Sequence, residues 1–349
     1  MLSEVIKIFI LSVSSFFLAW ALTPLLTKLL YKYKLGKQIR DDASAPIFSK
    51  LHQAKSGTPT MGGVLIWFTV AALALGIFYL SRWTQIASLV NLNFLSRGQT
   101  WLPLGVLVAS ALVGLVDDFF NTRKIGPRGG GLTMRRRILI YTLIAAVGAW
   151  WFYYKLDRDS IHIIFFGDYL LNWWYIPFFI FIIVSTAFSV NEIDGLDGLA
   201  GGTLLAAFGA YGAISFVQGK IDLAAFCGVI IGALIAFLWN NIYPAKFFMG
   251  DTGAMSLGVT LGVLAMLTDT VFLLPLIGLL FVIESLSVII QVISKKIRKK
   301  KVFLSSPIHH HLEAIGWPEP KIVMRFWLIS WITAISGLII FLAERLIVK

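Results

Sequence analysis

The chain has 349 residues, of which 58% are hydrophobic and only 14% charged, about half the charged share of a soluble domain. With a mean hydropathy of +0.82, this composition excludes an ordinary soluble protein, a disordered chain and a collagen-like fibre. The single cysteine, Cys227, lies in an apolar run and excludes an internal disulfide framework. The net charge of +12 is explained better by Lys and Arg in cytoplasmic loops than by nucleic-acid binding.

Ten apolar runs are candidates for membrane-spanning helices, although the eighth is short. Continuous runs, rather than alternating ten-residue segments, favour helices over a β-barrel. The runs are Val5–Leu30, Val64–Leu80, Leu102–Phe120, Ile138–Tyr154, Trp173–Val190, Leu199–Val217, Leu223–Trp239, Ala254–Leu267, Val271–Ile293 and Val323–Val348. The first run is too long for a cleaved signal peptide, so we expect it to be retained. With no internal repeat or long linker, residues 1–349 are predicted to form a single integral-membrane domain.

The distribution of Lys and Arg predicts the orientation. The odd-numbered loops carry 21 of these residues and the opposite side carries 8. Positive charge marks the cytoplasmic side, so the odd-numbered loops are predicted to be cytoplasmic. Because ten is even, both termini are predicted to be extracytoplasmic. The fold class is therefore an all-α polytopic membrane protein with ten transmembrane helices, and the outer segment Ile161–Asn172 predicts a short hairpin.

The acidic residues collect at the predicted cytoplasmic ends of the spans. These ends carry Asp117-Asp118, the stretch 191–198, Asn241, Gly250-Asp251 and, two turns inside span nine, Glu284. Because the orientation was taken from Lys and Arg alone, this common side is independent evidence for one site at the cytoplasmic face. Several carboxylates suit Mg²⁺, which keeps substrate phosphates as further ligands, and this favours phosphoryl transfer. The alternative is that these acids are helix caps and salt-bridge partners.

Three motifs add to this site. Gly57–Gly63 combines glycines, which permit close backbone approach, with hydroxyls that can bond phosphate or sugar, although such residues also punctuate helix starts. Asp194 and Asp197 lie three residues apart, on one face if the segment is helical. The run His309–His311 favours phosphate contact or acid–base work, because three adjacent imidazoles cannot all point at one metal ion. A metal site and a solvated histidine run stay as alternatives.

Together these residues resemble the phospho-N-acetylmuramoyl-pentapeptide transferase family of the bacterial inner membrane, within the polyprenyl-phosphate sugar-1-phosphate transferase superfamily. The likeness runs from the first span to the last. The matching stretches are Lys55–Gly63, Val116–Asp118, Asn191–Ala200, Asn241–Ala245, Phe247–Asp251, Phe281–Gln291, Pro307–His311 and Gly316–Pro320.

The resemblance implies a reaction in which undecaprenyl phosphate attacks the diphosphate of UDP-N-acetylmuramoyl-pentapeptide, releasing UMP and leaving lipid I in the membrane. It also implies a requirement for Mg²⁺ and a homodimer. The catalytic residues implied are Asp117, which would activate the lipid phosphate, Asp118, the Mg²⁺ ligand Asp251, and His309. The substrate-binding residues implied are Lys55, Thr60, Asn191, Asp194, Gly195, Leu196, Asp197, Asn241, Phe248, Gly250, Gln291 and His310, with Phe248 stacked on uracil.

Three positions depart from the family pattern. Asn121 replaces a lysine, Phe188 replaces an asparagine, and Glu192 replaces a hydrophobic residue. Arg123 or Lys124 is a candidate source of the missing charge at 121. These departures leave open a divergent or altered-substrate member of the family. The competing functions are a related N-acetylglucosamine-1-phosphate transferase, which the His309–His311 and Thr58–Gly63 stretches disfavour, a lipid transporter, and a non-catalytic membrane protein, which only the three departures support. A transporter is disfavoured because its charges usually lie near the bilayer midplane and its halves often repeat.

Overall fold

The fold is a bundle of long helices with one small hairpin. The computed structural model describes residues 1–36, 52–96, 98–126 and 130–347. The helices are α1 Leu2–Lys32, α2 Val64–Thr84, α3 Ala87–Leu92, α4 Trp101–Thr122, α5 Met134–Lys155, α6 Tyr175–Ile193, α7 Leu199–Val217, α8 Ile221–Asn241, α9 Gly250–Leu267, α10 Leu274–Ile277, α11 Leu279–Ile297, α12 Ile308–Ala314 and α13 Glu319–Ile347. The strands are β1 Ser160–Ile163 and β2 Gly167–Leu170, and single 3-10 turns cover Gln53–Lys55, Asn172–Trp174 and Val271–Leu273. Lys37, Arg40, Lys50, Arg97, Arg128 and Lys349, which contribute to the predicted orientation, lie outside the described residues.

Nine helices in the described ranges are long and apolar enough to cross a membrane, and they correspond to nine of the ten predicted spans. The ninth predicted span, Val271–Ile293, is not one continuous helix. Its two parts, Val271–Ile277 and α11, meet at an angle of 80°. Pro275 lies in the first turn of α10, and Gly278 takes a non-helical conformation with φ −102° and ψ 37°. Because proline and glycine are the usual causes of sharp helix breaks, these two residues account for the bend.

Helix α9 forms the centre of the bundle and is almost completely buried, whereas fewer than a third of the residues across the apolar spans of α1, α5 and α13 are buried. Small residues allow α9 to approach its neighbours closely. A Cβ added at Gly258 would lie 2.9 Å from the Cα of Ala187 in α6. The short eighth predicted span is therefore the core helix of the protein, shielded by other helices from its surroundings.

Helix α11 has an inverted distribution of polarity. Its buried face carries Glu284, Ser287, Gln291 and Ser294. Apolar side chains such as Leu286, Ile290 and Ile293 cover the exposed face. An exposed apolar face on a helix is typical of contact with lipid rather than water, so α11 turns its polar residues towards the bundle.

The predicted hairpin within Ile161–Asn172 is confirmed as the antiparallel pair β1 and β2, with Ile161 opposite Tyr169. His162 on β1 contacts Glu344 near the end of α13 at 2.9 Å. The same carboxylate accepts a hydrogen bond from the backbone N–H of Phe165. The hairpin is therefore attached to the last helix of the chain.

Candidate active site

The ends of four helices bring together a group of polar side chains that we call the carboxylate cluster. Its members are Asp117 and Asp118 from the end of α4, Arg137 from the start of α5, Asn191 from the end of α6, and Asp251 from the start of α9. Asp117 and Asp118 are buried. The structure thus joins residues that are up to 134 positions apart in the sequence, as the spacing of the acids at span ends predicted.

The first turn of α9 is held by carboxylates from two other segments. Asp118 accepts hydrogen bonds from the backbone N–H groups of Asp251 (3.1 Å) and Thr252 (3.0 Å). Asp194 accepts one from Gly250 (3.2 Å). Helix N-termini leave N–H groups without intrahelical partners and favour negative charge, so both carboxylates stabilise this end. Asp118 and Asp194 consequently fix where the Asp251 side chain stands.

Arg137 bridges the two remaining carboxylates of the cluster. Its Nε lies 2.7 Å from Oδ2 of Asp117, and its Nη2 lies 2.7 Å from Oδ2 of Asp251. Nη1 also donates to Oδ1 of Asn191 at 3.2 Å. Asn191 in turn donates to Asp251. The planar guanidinium is suited to this role because it presents several donors in a fixed geometry.

The structure also resolves the departure at position 121. Arg123 is exposed over the ring of Phe119, and Lys124 is exposed, so neither supplies the missing charge. A Cβ built at Gly131 would lie 3.7 Å from Cβ of Asn121 and 3.9 Å from Nη2 of Arg137. The guanidinium therefore reaches the side of the cluster next to Asn121 from a different helix.

A second departure also faces this cluster. Glu192 interacts electrostatically with Arg137, His309, Glu284 and Asp251. The acid that replaces a hydrophobic residue of the family pattern therefore adds negative charge near the cluster. No contact in the structure explains Phe188.

A second group, the lysine cluster, comprises Lys55, Asp197, Glu319, Tyr243 and Phe248. Nζ of Lys55 lies 2.6 Å from Asp197 and 2.5 Å from Glu319, and it stands 5.9 Å from the ring centres of both Tyr243 and Phe248. Glu319 also accepts a hydrogen bond from the backbone N–H of Asp197 at 2.7 Å. This arrangement combines an ammonium group with two aromatic faces, one of which, Tyr243, is exposed.

Backbone pairing connects the two clusters. Phe248 donates to the carbonyl of Pro59, and Gly62 donates back to the carbonyl of Phe248, both at 2.8 Å. The buried Thr60 sits beside Gly250, where its hydroxyl and the Asp118 carboxylate would collide with any Cβ. Gly250 also has φ +74°, a conformation that favours glycine. The predicted residues Thr60 and Gly250 therefore act here as packing partners that set the start of α9.

The side-chain amides of the predicted residues Asn241 and Gln291 form hydrogen bonds with backbone groups. Asn241 accepts from Gly198 (3.0 Å) and donates to the carbonyl of Phe247 (2.9 Å). Gln291 accepts from the N–H groups of Val302 and Phe303 and donates to the carbonyl of Phe303. The buried Leu196 completes the turn before α7. These three residues shape the surrounding loops.

His309 is completely buried and lies beneath the turn that carries Gly195. Its Nδ1 is 3.0 Å from Oε2 of Glu284, which is equally buried. The imidazole fills the space next to Gly195 so closely that a Cβ at that position would overlap Nε2. Glycine is therefore required at 195, and His309 is covered by protein in this state.

The third group, the histidine cluster, comprises His52, His310 and Glu313, all mostly buried. Oε2 of Glu313 lies 2.6 Å from Nδ1 of His310 and 3.1 Å from Nε2 of His52. Burial lowers the pKa of His310 to about 3, helped by the neighbouring His309. Burial alone would raise the pKa of Glu313, but hydrogen bonds from His310 and His52 outweigh it and lower that pKa to about 2. At neutral pH Glu313 is therefore a carboxylate, and His310 is a neutral imidazole beside it.

Five residues of these clusters were not among the predicted site residues: Arg137, Tyr243, Glu319, His52 and Glu313. Arg137 belongs to a run of three arginines, which contributes to the predicted orientation like any basic loop residue. Glu319 and Glu313 lie within or next to the matched stretches. The sequence of an arginine run does not show which side chain points into the protein. Only the helical phase of α5 in the structure shows that Arg137 is the one that faces the carboxylate cluster.

Comparison with known proteins adds to this geometry. Residues 100–269 match Glycosyl transferase family 4, and residues 55–66 match the phospho-N-acetylmuramoyl-pentapeptide-transferase signature 1. Three relatives named phospho-N-acetylmuramoyl-pentapeptide-transferase are each 39% identical to the chain. The one from Chloroflexus aggregans aligns over 88% of this chain and 82% of its own length. Those from Geobacillus sp. and Desulforamulus reducens align over 93% of this chain, and over 95% and 93% of their own lengths. The predicted resemblance is confirmed: the chain belongs to the phospho-N-acetylmuramoyl-pentapeptide transferase family.

Proposed function

We propose that this chain, a multi-pass protein of the bacterial inner membrane, makes lipid I for peptidoglycan synthesis. It transfers phospho-N-acetylmuramoyl-pentapeptide from the UDP-linked precursor to undecaprenyl phosphate. An oxygen of the lipid phosphate forms a bond to the sugar-bearing phosphorus, and the bond from that phosphorus to the UMP oxygen breaks. The observation that carries this proposal is the Arg137 bridge between Asp117 and Asp251, next to the family signature at residues 55–66.

The carboxylate cluster fits the Mg²⁺ that the family resemblance implies. Its donors are carboxylate and amide oxygens, the ligand type that hard cations prefer. The cluster contains three carboxylates, those of Asp117, Asp118 and Asp251, and one guanidinium, so its formal negative charge exceeds its positive charge. Asp251 would hold the ion, with Asn191 beside it. When bound, Mg²⁺ neutralises charge on the diphosphate.

Each of the other residues near the carboxylate cluster has its own proposed role. Asp117 accepts the proton of the lipid phosphate once Arg137 exchanges its carboxylate contacts for phosphate oxygens. Guanidinium groups bind phosphate and carboxylate with the same fork of donors, so phosphate oxygens can take the place of the carboxylate oxygens around Arg137. Asp118 holds the start of α9 and thereby positions Asp251. His309 supports the turn at Gly195, and His310 lies next to it, with phosphate contact as its proposed role.

The lysine cluster is the proposed uridine pocket. Phe248 stacks on uracil, and Lys55 contributes a positive charge next to the aromatic face. The turn formed by Gly195, Leu196 and Asp197 supplies backbone groups to the same pocket. We further propose that this end of the helices faces the cytoplasm with both termini outside, and that the protein forms a homodimer. The distribution of Lys and Arg supports the proposed orientation. The family resemblance supports the homodimer.

The test is UMP release by the purified full chain in nanodiscs with undecaprenyl phosphate and Mg²⁺. We expect release with UDP-N-acetylmuramoyl-pentapeptide, none with UDP-N-acetylglucosamine, and none after addition of EDTA. Asp117→Asn keeps the shape but cannot take the proton, and we expect a loss of about 100-fold or more. Full turnover of Asp117→Asn would contradict the proton-acceptor role, and release with UDP-N-acetylglucosamine alone would contradict the substrate.

A further inference from the structure

The histidine cluster has no part in the proposed phosphoryl transfer beyond the phosphate contact of His310. One ring nitrogen of His52, one ring nitrogen of His310 and one carboxylate oxygen of Glu313 all lie within 4.8 Å of one another. Among the residues that the structure describes, this is the group of histidines and acids whose geometry suits a metal ion. The atoms come from two separate segments, one before the signature at residues 55–66 and one in α12.

The donor set differs in chemistry from that of the carboxylate cluster. Two imidazole nitrogens and one carboxylate oxygen, with water in the fourth position, are the ligands that catalytic Zn²⁺ sites use, whereas Mg²⁺ prefers oxygen alone. Bond lengths of about 2.0–2.2 Å place the ligand atoms of a tetrahedral Zn²⁺ about 3.3 Å apart. The two separations from Glu313 are 2.6 Å and 3.1 Å, so these two contacts need only a small expansion. The separation of the two imidazole nitrogens lies within 4.8 Å.

We propose that His52, His310 and Glu313 bind one Zn²⁺ ion, in a centre separate from the Mg²⁺ site at Asp251. The ion takes the place of the hydrogens that now join the two imidazoles to Glu313, each hydrogen moving to the other nitrogen of its ring so that both imidazoles stay neutral, and water completes the coordination. Binding would connect the segment around His52 to α12. Lys55 lies three residues after His52 and Glu319 six residues after Glu313, so an ion here would also stiffen both sides of the lysine cluster.

The other histidines of the chain provide controls. The chain has five histidines in total. Nδ1 of His311 accepts a hydrogen bond from the backbone of Leu304. The two ring nitrogens of His162 contact different carboxylates, Asp168 and Glu344, on opposite sides of the ring. Neither His311 nor His162 converges on a shared point with a second imidazole, so their replacement should leave Zn²⁺ binding unchanged.

The experiment is equilibrium dialysis of the full chain in detergent against buffered micromolar Zn²⁺ with excess Mg²⁺, followed by elemental analysis. We expect one Zn²⁺ per chain in wild type, His311→Gln and His162→Gln. In His52→Gln and Glu313→Gln the affinity should fall by about 100-fold or more, since loss of even an outer partner costs 10–100-fold. Unchanged binding in both cluster variants, or no binding by wild type, would overturn the site.

A measurement on the wild type keeps the proposal testable if a variant fails to fold. X-ray absorption at the zinc edge should show two imidazole nitrogens and oxygen at about 2.0–2.1 Å. A shell of oxygen alone would overturn the assignment, because it would place the ion at the carboxylate cluster instead. Neither readout depends on UMP release, so the outcome is independent of the proposed function.

Discussion

At the scale of single residues, the site depends on how buried charge is compensated. Asp117 has no exposed surface, and its closest cation is the Arg137 guanidinium. An ionised carboxylate in such a place is costly unless it is paired and hydrogen-bonded. The backbone N–H of Leu132 and the guanidinium together meet this need. Arg137 is therefore both a structural partner of Asp117 and the cation that a substrate phosphate would take over.

Replacement of Arg137 should separate these two roles. Arg137→Ala leaves a buried charge unpaired, so we expect a loss of about 3–5 kcal/mol in stability and more than 100-fold in UMP release. Arg137→Lys keeps the charge but loses the fork, so we expect a folded protein with release lowered about 10-fold. Melting temperature and UMP release measure the two effects. The matched control is Arg136→Ala, an exposed neighbour that should behave as wild type; equal loss in both would refute the assignment.

The same scale shows what residue type alone cannot reveal. The positions of Asp117, Asn191 and Asp251 at the predicted cytoplasmic ends of the spans led us to expect them to lie together, and the structure brings their side chains into one cluster. Asn241 and Gln291 were also predicted to bind substrate, and in the structure the side-chain amides of both residues are hydrogen-bonded to backbone groups. A buried amide that serves a loop and one that serves a substrate look alike in a sequence, since both satisfy the rule that buried polar groups find partners.

At the scale of elements, apolar run length predicted nine helices well but missed the break before α11. The signals were present, since Pro275 and Gly278 lie only three residues apart inside the run. Composition also failed to show that α9 is the core of the bundle, because a buried helix and a lipid-facing helix are equally apolar. The small residues of α9 permit close approach to its neighbours, but α7 is at least as rich in them, so this signal does not single out α9 either.

The hairpin and α13 form a pH-dependent contact. Burial lowers the pKa of His162, but hydrogen bonds to Asp168 and Glu344 and their charges outweigh this and raise the pKa above its usual value. Asp269 and Arg158 lie in the same electrostatic neighbourhood. A neutral imidazole has one N–H and cannot donate to both carboxylates, so deprotonation breaks one contact. The stabilisation is therefore complete below about pH 6.5 and is lost as the pH rises through the raised pKa.

We expect the melting temperature of wild type to exceed that of His162→Gln at pH 6, with the difference shrinking towards pH 8.5. The effect should stay below about 1 kcal/mol because Asp168 is 77% exposed and solvent screens its charge. Glu344→Gln, which removes the buried partner, should show the same loss of pH dependence. A difference between wild type and His162→Gln that does not change with pH would contradict this account.

At the scale of the whole molecule, two independent observations bear on the orientation in the membrane: the three clusters lie at one end of the bundle, and Lys and Arg are concentrated in the odd-numbered loops. The carboxylate, lysine and histidine clusters occupy the end where α4, α6 and α8 finish and α9 begins. The hairpin lies at the opposite end, where α5 finishes and α6 begins. A membrane protein that takes a soluble nucleotide from the cytoplasm needs the first end to face inwards, and the excess of Lys and Arg in the odd-numbered loops predicts the same direction.

Site-directed labelling tests this orientation directly. Cys227 is fully buried, so the wild-type chain should not react with a membrane-impermeant maleimide and serves as the blank. Phe166→Cys places a thiol in the exposed turn of the hairpin, and Val302→Cys places one in the exposed loop after α11, without changing any charge. In intact spheroplasts we expect the first to react and the second to react only after permeabilisation, because positively charged loops are retained on the cytoplasmic side. Reaction of Val302→Cys in intact spheroplasts, with Phe166→Cys protected, would reverse the topology and place the clusters on the side without nucleotide.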